Sequence, residues 1–194
     1  MPPRLIYLHG FRSSPRSFKA SWLASRLAGL GLSDRYVCPQ LPASPREAIA
    51  LVDATIAPRR DDTLVGSSLG GYYATWLAER CGCRCVLLNP AVRPAEGLAA
   101  HVGVQTQYHS DEPFEFKPVY LDELRELDVA RITDPARYLL IAATGDELLD
   151  WRDMVAHYPG ARHRIVAGSD HGLSDFADYG DDVLAFAGLI GEGQ

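Results

Sequence analysis

The sequence predicts an α/β fold built on a mainly parallel sheet of about six strands, with helices on both faces. Three observations carry this expectation. Short apolar, β-prone runs alternate along the chain with stretches whose apolar residues recur at helical spacing. The stretch Thr63-Leu64-Val65-Gly66-Ser67-Ser68-Leu69-Gly70-Gly71 joins a strand to a helix through a Gly-x-Ser-x-Gly pentad. Three residues with chemical potential, Ser68, Asp146 and His171, each follow a predicted strand, where open parallel sheets form their sites.

Taken in order, Leu5-Ile6-Tyr7-Leu8 reads as a buried first strand, followed at once by His9-Gly10-Phe11. Ser14 reads as the N-cap of a first helix with Pro15 at its first position, and Phe18, Trp22, Leu23, Leu27 and Leu30 form its apolar stripe. Arg35–Cys38 is the second strand, stopped by Pro39. Ser44-Pro45-Arg46-Glu47 is a capping box, opening a helix that turns Ala48, Ile49, Val52 and Ile56 inward and ends at Pro58. Thr63–Val65 is the third strand, with a helix from Tyr72 to Arg80 after the pentad. Arg84–Leu88 is the fourth strand, Tyr138–Ala143 the fifth and His163–Val166 the sixth. The last helix falls within Ser174–Ile190, with Phe176, Tyr179, Val183, Phe186 and Ile190 on one face.

Residues 93–137 interrupt this alternation. They show no clear strand; Pro94–His101 suits a short helix, Leu121, Leu124 and Leu127 suit another, and Gly103–Pro118 between them is irregular. A long insertion inside a compact domain is commonly functional. Its position over the carboxyl ends of the strands marks it as a cap or lid; the alternative is a surface excursion without a role. Residues 1–194 otherwise read as a single domain.

At 47% hydrophobic and 23% charged, the composition is that of a globular chain able to bury a core. A net charge of −6 argues against nucleic acid or an anionic membrane surface as the main partner. The apolar run Leu5–Leu8 is far too short for a signal core or a membrane span, so a cytoplasmic location is expected. Cys81, Cys83 and Cys85 are spaced Cys-x-Cys-x-Cys, which matches neither a disulfide framework nor a zinc knuckle. They read, with Cys38, as small apolar residues, and no metal site is expected.

The pentad has the pattern of a nucleophile elbow, in which a serine is forced to the apex of a sharp strand-to-helix turn and needs small residues two positions to either side. Gly66 and Gly70 supply them around Ser68, whereas Ser67 is out of register. A serine hydroxyl needs an adjacent base, and the base an orienting acid, in the chain order Ser, Asp or Glu, His. Among the histidines, His101 and His109 fall in the insertion, His157 lies on a helix, and His163 begins the sixth strand at its far end. His171 follows that strand through Gly168-Ser169-Asp170 and is the expected base. Asp146, just past the fifth strand, is the expected acid. Of its neighbours, Glu147 is expected to point away and Asp150 to cap the next helix. The oxyanion hole is expected from the backbone N–H groups of Leu69, which opens the elbow helix, and Phe11, in the loop after the first strand. The His9 side chain is expected to hold that loop.

Seven stretches together resemble one family. They are Tyr7–Phe11, Ser13-Ser14-Pro15, Pro39-Gln40-Leu41-Pro42, Gly66–Thr75, Asn89-Pro90-Ala91-Val92-Arg93-Pro94, Thr144-Gly145-Asp146-Glu147 and the Gly168–His171 loop. On these residues the chain resembles the small bacterial YqiA-type esterases of the alpha/beta-hydrolase superfamily, over residues 5 to 187. The resemblance implies a three-layer alpha/beta-hydrolase fold with a small cap between the fourth and fifth strands. It also implies hydrolysis of carboxylic acyl esters, small-molecule substrates, and no metal or cofactor. Acyl-CoA thioester hydrolysis or acyl transfer by the same residues is the neighbouring reading, and a catalytically idle binding module the reading from another class. Gly172-Leu173 departs from the family's Ala-Phe, which is expected to loosen packing behind His171; the cap is matched least. Arg93 lies in a matched motif and is read two ways, as a substrate ligand or as an ion pair anchoring the cap, to residues near Asp146 or to Asp111-Glu112. Tyr72, Tyr73 and Trp76 are read as packing residues.

Overall fold

The structure is a computed structural model that describes residues 2–110 and 112–191. Its elements, in chain order, are β1 (Leu5–Leu8), α1 (Phe18–Gly29), β2 (Tyr36–Val37), α2 (Pro45–Thr55), β3 (Thr63–Ser67), α3 (Leu69–Cys81), β4 (Arg84–Leu88), α4 (Pro94–Gly97), β5 (Gly103–Thr106), β6 (Pro113–Phe116), α5 (Val119–Glu126), β7 (Tyr138–Ala143), α6 (Trp151–His157), β8 (Arg162–Val166) and α7 (Gly180–Phe186).

Six strands form one sheet in the order β2-β1-β3-β4-β7-β8, with every pairing parallel. Because successive side chains on a strand point to opposite faces, each central strand feeds two cores. Ile6, Leu8, Leu87, Leu140 and Ala142 pack on one face with α2, α3, α5 and α6. Leu5, Tyr7, Val86, Leu139 and Ile141 pack on the other with α1 and α7. Burial on both faces explains why β1, β4 and β7 read as continuous apolar runs rather than alternating ones. The strand order reverses direction between β1 and β3, so the carboxyl ends of those two strands flank the crevice where such sheets bind ligands.

Several local expectations are met. The Ser44 half of the capping box forms, its Oγ accepting the Glu47 N–H at 3.1 Å, while no bond from the Ser44 N–H to the Glu47 carboxylate is present among the described residues; Asp150 caps α6 by accepting the Arg152 N–H at 2.9 Å, and α5 falls on the Leu121–Leu127 pattern. Others are corrected. The helix expected from Ser14 starts at Phe18 instead: the Ser14 hydroxyl accepts the Arg16 N–H at 3.1 Å and is spent on a turn. Phe18, expected inward, is 53% exposed. The last helix is shorter than expected; a 3-10 turn at Phe176–Asp178 precedes α7. Gly180 opens α7 because the Trp22 ring lies against its backbone, where a Cβ would stand 2.4 Å from the ring.

The larger correction concerns residues 93–137, where no strand was expected. β5 and β6 form an antiparallel hairpin there, pairing Gly103 with Phe116 and Thr106 with Pro113. Each strand is only four residues long, and half of each faces solvent, so the apolar alternation is too brief to stand out. The insertion is fastened to the main body by polar bonds as well as by packing. Ser44 Oγ donates to Glu123 Oε2 at 2.7 Å and the Arg46 N–H donates to the same oxygen at 3.1 Å, while Tyr72 Oη donates to the Leu124 carbonyl at 2.8 Å. Among the described residues no helix is long and apolar enough to cross a membrane.

Candidate active site

The turn from β3 into α3 places Ser68 at φ 54°, ψ −121°, a conformation that costs a non-glycine residue about 1–3 kcal/mol. Neighbouring backbone holds it there. The Ser68 N–H donates to the Leu88 carbonyl at 3.0 Å, and the Ser68 carbonyl accepts from Gly71 at 2.9 Å and Ala91 at 3.1 Å. The glycines around it are required by close approach. A Cβ on Gly66 would lie 2.3 Å from the Gly70 carbonyl oxygen, and one on Gly70 would lie 2.0 Å from that of Leu8. The adjacent Ser67 is drawn into a contact with the buried Tyr7 hydroxyl, away from His171.

The structure brings Ser68, His171 and Asp146 together from the ends of β3, β8 and β7. His171 Nε2 lies 3.1 Å from Ser68 Oγ, and His171 Nδ1 lies 2.8 Å from Asp146 Oδ2. A carboxylate can only accept, so Nδ1 carries the proton and Nε2 offers a lone pair to the serine hydroxyl. The Asp146 side chain is fully buried. Burial by itself would raise its pKa, but the His171 hydrogen bond and the amides of Leu149 and Leu148 outweigh it and hold the carboxyl below its ordinary value. Both amides donate to Asp146 Oδ1 at 2.9 Å. The loops bearing Asp146 and His171 touch: a Cβ on Gly145 would stand 2.3 Å from the Ser169 carbonyl oxygen.

Three further residues shape this constellation without having been assigned a role from the sequence. Asn89 is fully buried. Its amide nitrogen donates to the Asp170 and His171 carbonyls at 3.1 and 3.2 Å, and its oxygen accepts the Ala143 N–H at 2.8 Å. One side chain thus fastens the ends of β4 and β7 to the histidine loop. The signal for it was its place directly after the fourth strand, at the head of a matched motif. Glu147, expected to point away, instead accepts the His171 N–H at 3.0 Å. Lys19 is buried and donates to the Gly172 carbonyl. Burial lowers its ammonium to about 8, while Asp170 and Asp146 act in the opposite direction. Leu173, at the departure from the family pattern, is fully buried in the core shared with Phe176.

Gly10 brings the loop after β1 against the nucleophile, since a Cβ there would lie 3.1 Å from Ser68 Cβ. His9 holds this loop. Its Nε2 accepts the Leu41 N–H at 3.0 Å, and its Nδ1–H therefore donates to the Gly10 carbonyl at 3.0 Å. Burial lowers the His9 pKa, so folded His9 stays neutral while an unfolded His9 takes up a proton near its ordinary pKa of about 6.5. The unfolded state then binds more protons, and stability falls as pH drops through and below that value. His157, also lowered by burial, acts in the same direction. Thermal unfolding followed from pH 8 to 5 is expected to show this acid destabilisation. Replacing His9 by Gln is expected to flatten it by up to about 1.4 kcal/mol per pH unit.

Phe11 and Arg12 continue the loop and meet the insertion. The Phe11 ring makes edge contacts with Phe114 and Phe116, both at 5.2 Å between centroids, and with His101 at 5.9 Å. Arg12 donates to the Thr106 carbonyl, its guanidinium lies 4.9 Å from the Tyr108 ring centroid, and its carbonyl accepts the Tyr108 N–H at 3.0 Å. Leu69, the other expected oxyanion donor, opens α3, where an N–H has no partner within the helix.

These elements surround a cavity of about 830 Å³ that reaches Ser68 and His171, within the range of small-molecule sites. Phe18, Val92, Leu98, Tyr108, Leu148 and Leu149 give it apolar walls. Arg93 also lines it, with its Nη2 2.9 Å from Asp153 on α6 and its Nε 3.8 Å from Glu96. Of the ion-pair partners expected from the sequence, Asp111 lies outside the described residues and Glu112 does not pair with Arg93; the partners observed are Asp153 and Glu96. Among the described residues, no three His, Cys, Asp or Glu side chains converge as a metal site would.

Solved structures of other proteins share this fold. A provisionally assigned hydrolase of Agrobacterium vitis S4 superposes with a TM-score of 0.73 at 20% identity, covering 96% of this chain and 88% of that one. Alpha/beta hydrolase domain-containing protein 10 from mouse gives 0.68 at 16% identity, with 95% and 90% covered. Est1E from Butyrivibrio proteoclasticus, solved with ferulic acid, gives 0.66 at 15% identity, with 94% and 86% covered. The six-stranded parallel sheet is therefore that of the alpha/beta-hydrolase fold. In sequence, a UPF0227 protein of Vibrio parahaemolyticus serotype O3:K6 is 24% identical over 151 residues, spanning 75% of this chain and 77% of that protein. The model of the family described as "Uncharacterised protein family (UPF0227)" matches residues 4–188, and the chain belongs to that family, the YqiA-type family its motifs resemble.

Proposed function

We propose that the chain is a serine hydrolase that cleaves carboxylic acyl esters through an acyl-enzyme. The observation that carries this reading is the hydrogen-bonded series Ser68 Oγ, His171 Nε2 and His171 Nδ1, Asp146 Oδ2, at 3.1 and 2.8 Å, with the serine on a strained turn at the cavity floor. In this reading His171 takes the Ser68 proton as Oγ attacks the ester carbonyl, and the N–H groups of Phe11 and Leu69 receive the developing oxyanion. Protonated His171 then gives its proton to the leaving alcohol. A water, deprotonated by His171, attacks the acyl carbon and frees the acid. Asp146 holds the imidazole in the useful tautomer and balances its charge while it is protonated.

The apolar walls favour an apolar acyl group, and the ferulic acid bound by the similarly folded Est1E supports a carboxylic acid as product. Residues 93–137 form the cap in this reading: through Phe114, Phe116 and Tyr108 they also hold the loop that carries the Phe11 donor. Arg93 faces the substrate at the cavity wall, and a substrate anion reaching it has to displace Asp153. The four free cysteines accord with a cytoplasmic location.

A fluorophosphonate probe tests the mechanism, because it reacts with an activated serine and not with an ordinary one. The expected result is one adduct per chain, mapped to Ser68, with loss of ester turnover in proportion to labelling. Turnover of an activated ester without labelling, or labelling at another serine, overturns the assignment.

A further inference from the structure

The second chemically distinctive cluster lies at the opposite end of α3. Cys81 ends that helix, and Cys83 follows after Gly82, which adopts φ 70°, ψ 23°. This left-handed turn, which favours glycine, folds Cys83 back onto Cys81, so that their Sγ atoms are 3.1 Å apart. Arg137 clamps the turn by donating to the Ala78 carbonyl at 2.9 Å and the Cys83 carbonyl at 3.0 Å. Cys81 is half-buried and Cys83 fully buried. We propose that Cys81 and Cys83 are a peroxide-sensitive dithiol, in which Cys81 is the attacking thiolate, Cys83 resolves it, and the product is an intramolecular disulfide.

Oxidant-sensing cysteines combine thiolate character, solvent access and an adjacent resolving thiol, and Cys81 has all three. The hydrogen bond between the two sulfurs is the largest influence on its thiol. Burial opposes it, the backbone amides and the Arg80 charge add to it, and the net result is a thiol held below its ordinary value while that of Cys83 is raised. Cys38 is equally half-buried but is pushed up to about 12 by burial, so the chain carries its own unreactive control. Cys85 is fully buried and also raised by burial. The groups around the pair from other segments are Arg137 and Cys85, with Glu79 and Arg80 on its own helix.

The chemistry balances with hydrogen peroxide as oxidant. The Cys81 thiolate attacks one peroxide oxygen, the O–O bond breaks, and the departing hydroxide takes a proton to become water, leaving a Cys81 sulfenic acid. Cys83 sulfur then attacks Cys81 sulfur, the S–O bond breaks, and the second hydroxide leaves as water with the Cys83 proton. Two electrons pass from the two sulfurs to the peroxide. The disulfide closes a small ring through Gly82, and strained disulfides are readily reduced again. α3 has thirteen residues, which at 1.5 Å per residue puts this site about 20 Å from Ser68.

Arg80 and Arg84 flank the pair, so trypsin releases Cys81–Arg84 with both thiols and leaves Cys85 in the next peptide. The full chain, treated with hydrogen peroxide and then alkylated, is expected to yield this peptide without alkyl groups and about 2 Da lighter than the unalkylated dithiol peptide, through loss of two hydrogens, with dithiothreitol restoring two alkylatable thiols. Oxidation at Cys81 is expected to run at least about tenfold faster than at Cys38. In Cys83→Ser a dimedone-reactive sulfenic acid should persist on Cys81, and in Cys81→Ser Cys83 should stay reduced. Ester turnover equal to that of the parent chain verifies that both variants fold. Two thiols still alkylatable after peroxide, oxidation of Cys38 as fast as Cys81, or conversion of Cys81 to the sulfonic acid without a disulfide each overturns the proposal.

Discussion

Replacing Ser68 by Ala is expected to lower kcat for an activated ester by about 10⁶-fold, the scale seen when a nucleophile acting as one unit with its base is removed. The effect is large because, in the proposed mechanism, His171 Nε2, 3.1 Å from Ser68 Oγ, then has no hydroxyl to activate, and the proposed oxyanion donors can assist only a poorly placed water. The substitution removes one oxygen and keeps the Cβ, so the strained turn, held by a backbone hydrogen bond to Leu88 and by others from Gly71 and Ala91, is expected to remain. Circular dichroism and thermal unfolding near those of the parent chain check this. Ser67→Ala is the matched control: Ser67 meets the Tyr7 hydroxyl, and its loss should leave turnover within a fewfold. Turnover above a tenth of the parent rate in Ser68→Ala, or its collapse in Ser67→Ala alone, would move the nucleophile elsewhere.

Asp146→Asn is expected to lower kcat by about 10⁴-fold at neutral pH with a smaller change in KM. The asparagine oxygen can still accept the Leu148 and Leu149 N–H groups, as Asp146 Oδ1 does at 2.9 Å. Its NH₂ then faces His171 Nδ1 and can only donate, which drives the imidazole proton to Nε2 and removes the lone pair that Ser68 needs. The carboxyl is held below its ordinary pKa. Its contribution to stability is therefore present above the usual carboxylate range and is lost as pH falls through the depressed folded value. The variant should lose that acid-side dependence together with its activity. A rate within tenfold of the parent would mean that another group orients His171.

Much of this site was legible in one dimension because its chemistry is tied to strand ends. Ser68, Asp146 and His171 each follow a run that burial on two faces makes continuously apolar, so a strand end and a polar residue are visible side by side. The elbow was legible for a steric reason: Gly66 and Gly70 stand where a Cβ would meet backbone at 2.3 and 2.0 Å. The supporting contacts were not legible. Asn89 and Glu147 act on a loop about eighty and twenty-four residues away in sequence, and nothing in their local pattern says which carbonyl or amide they meet. The β5–β6 hairpin was hidden because its strands are four residues long, and such pairs are stabilised by cross-strand and tertiary contacts rather than by intrinsic preference. The start of α1 was misplaced because Ser14 had two equivalent local uses for its hydroxyl.

The sequence by itself determined the parallel α/β architecture, the family, and the order in which serine, aspartate and histidine arrive at the same rim of the sheet. These follow from periodicity, glycine placement and the right-handed crossovers that allow few alternatives. Only the tertiary structure decided that His171 reaches Ser68 with Asp146 behind it, that Arg93 pairs with Asp153, and that Phe11 is set among Phe114, Phe116 and His101. It also decided that Cys81 and Cys83 face each other across Gly82. Those outcomes depend on distances of a few ångströms between groups far apart in the chain or across a tight turn, and hydrogen bonds and sulfur contacts act only at such distances.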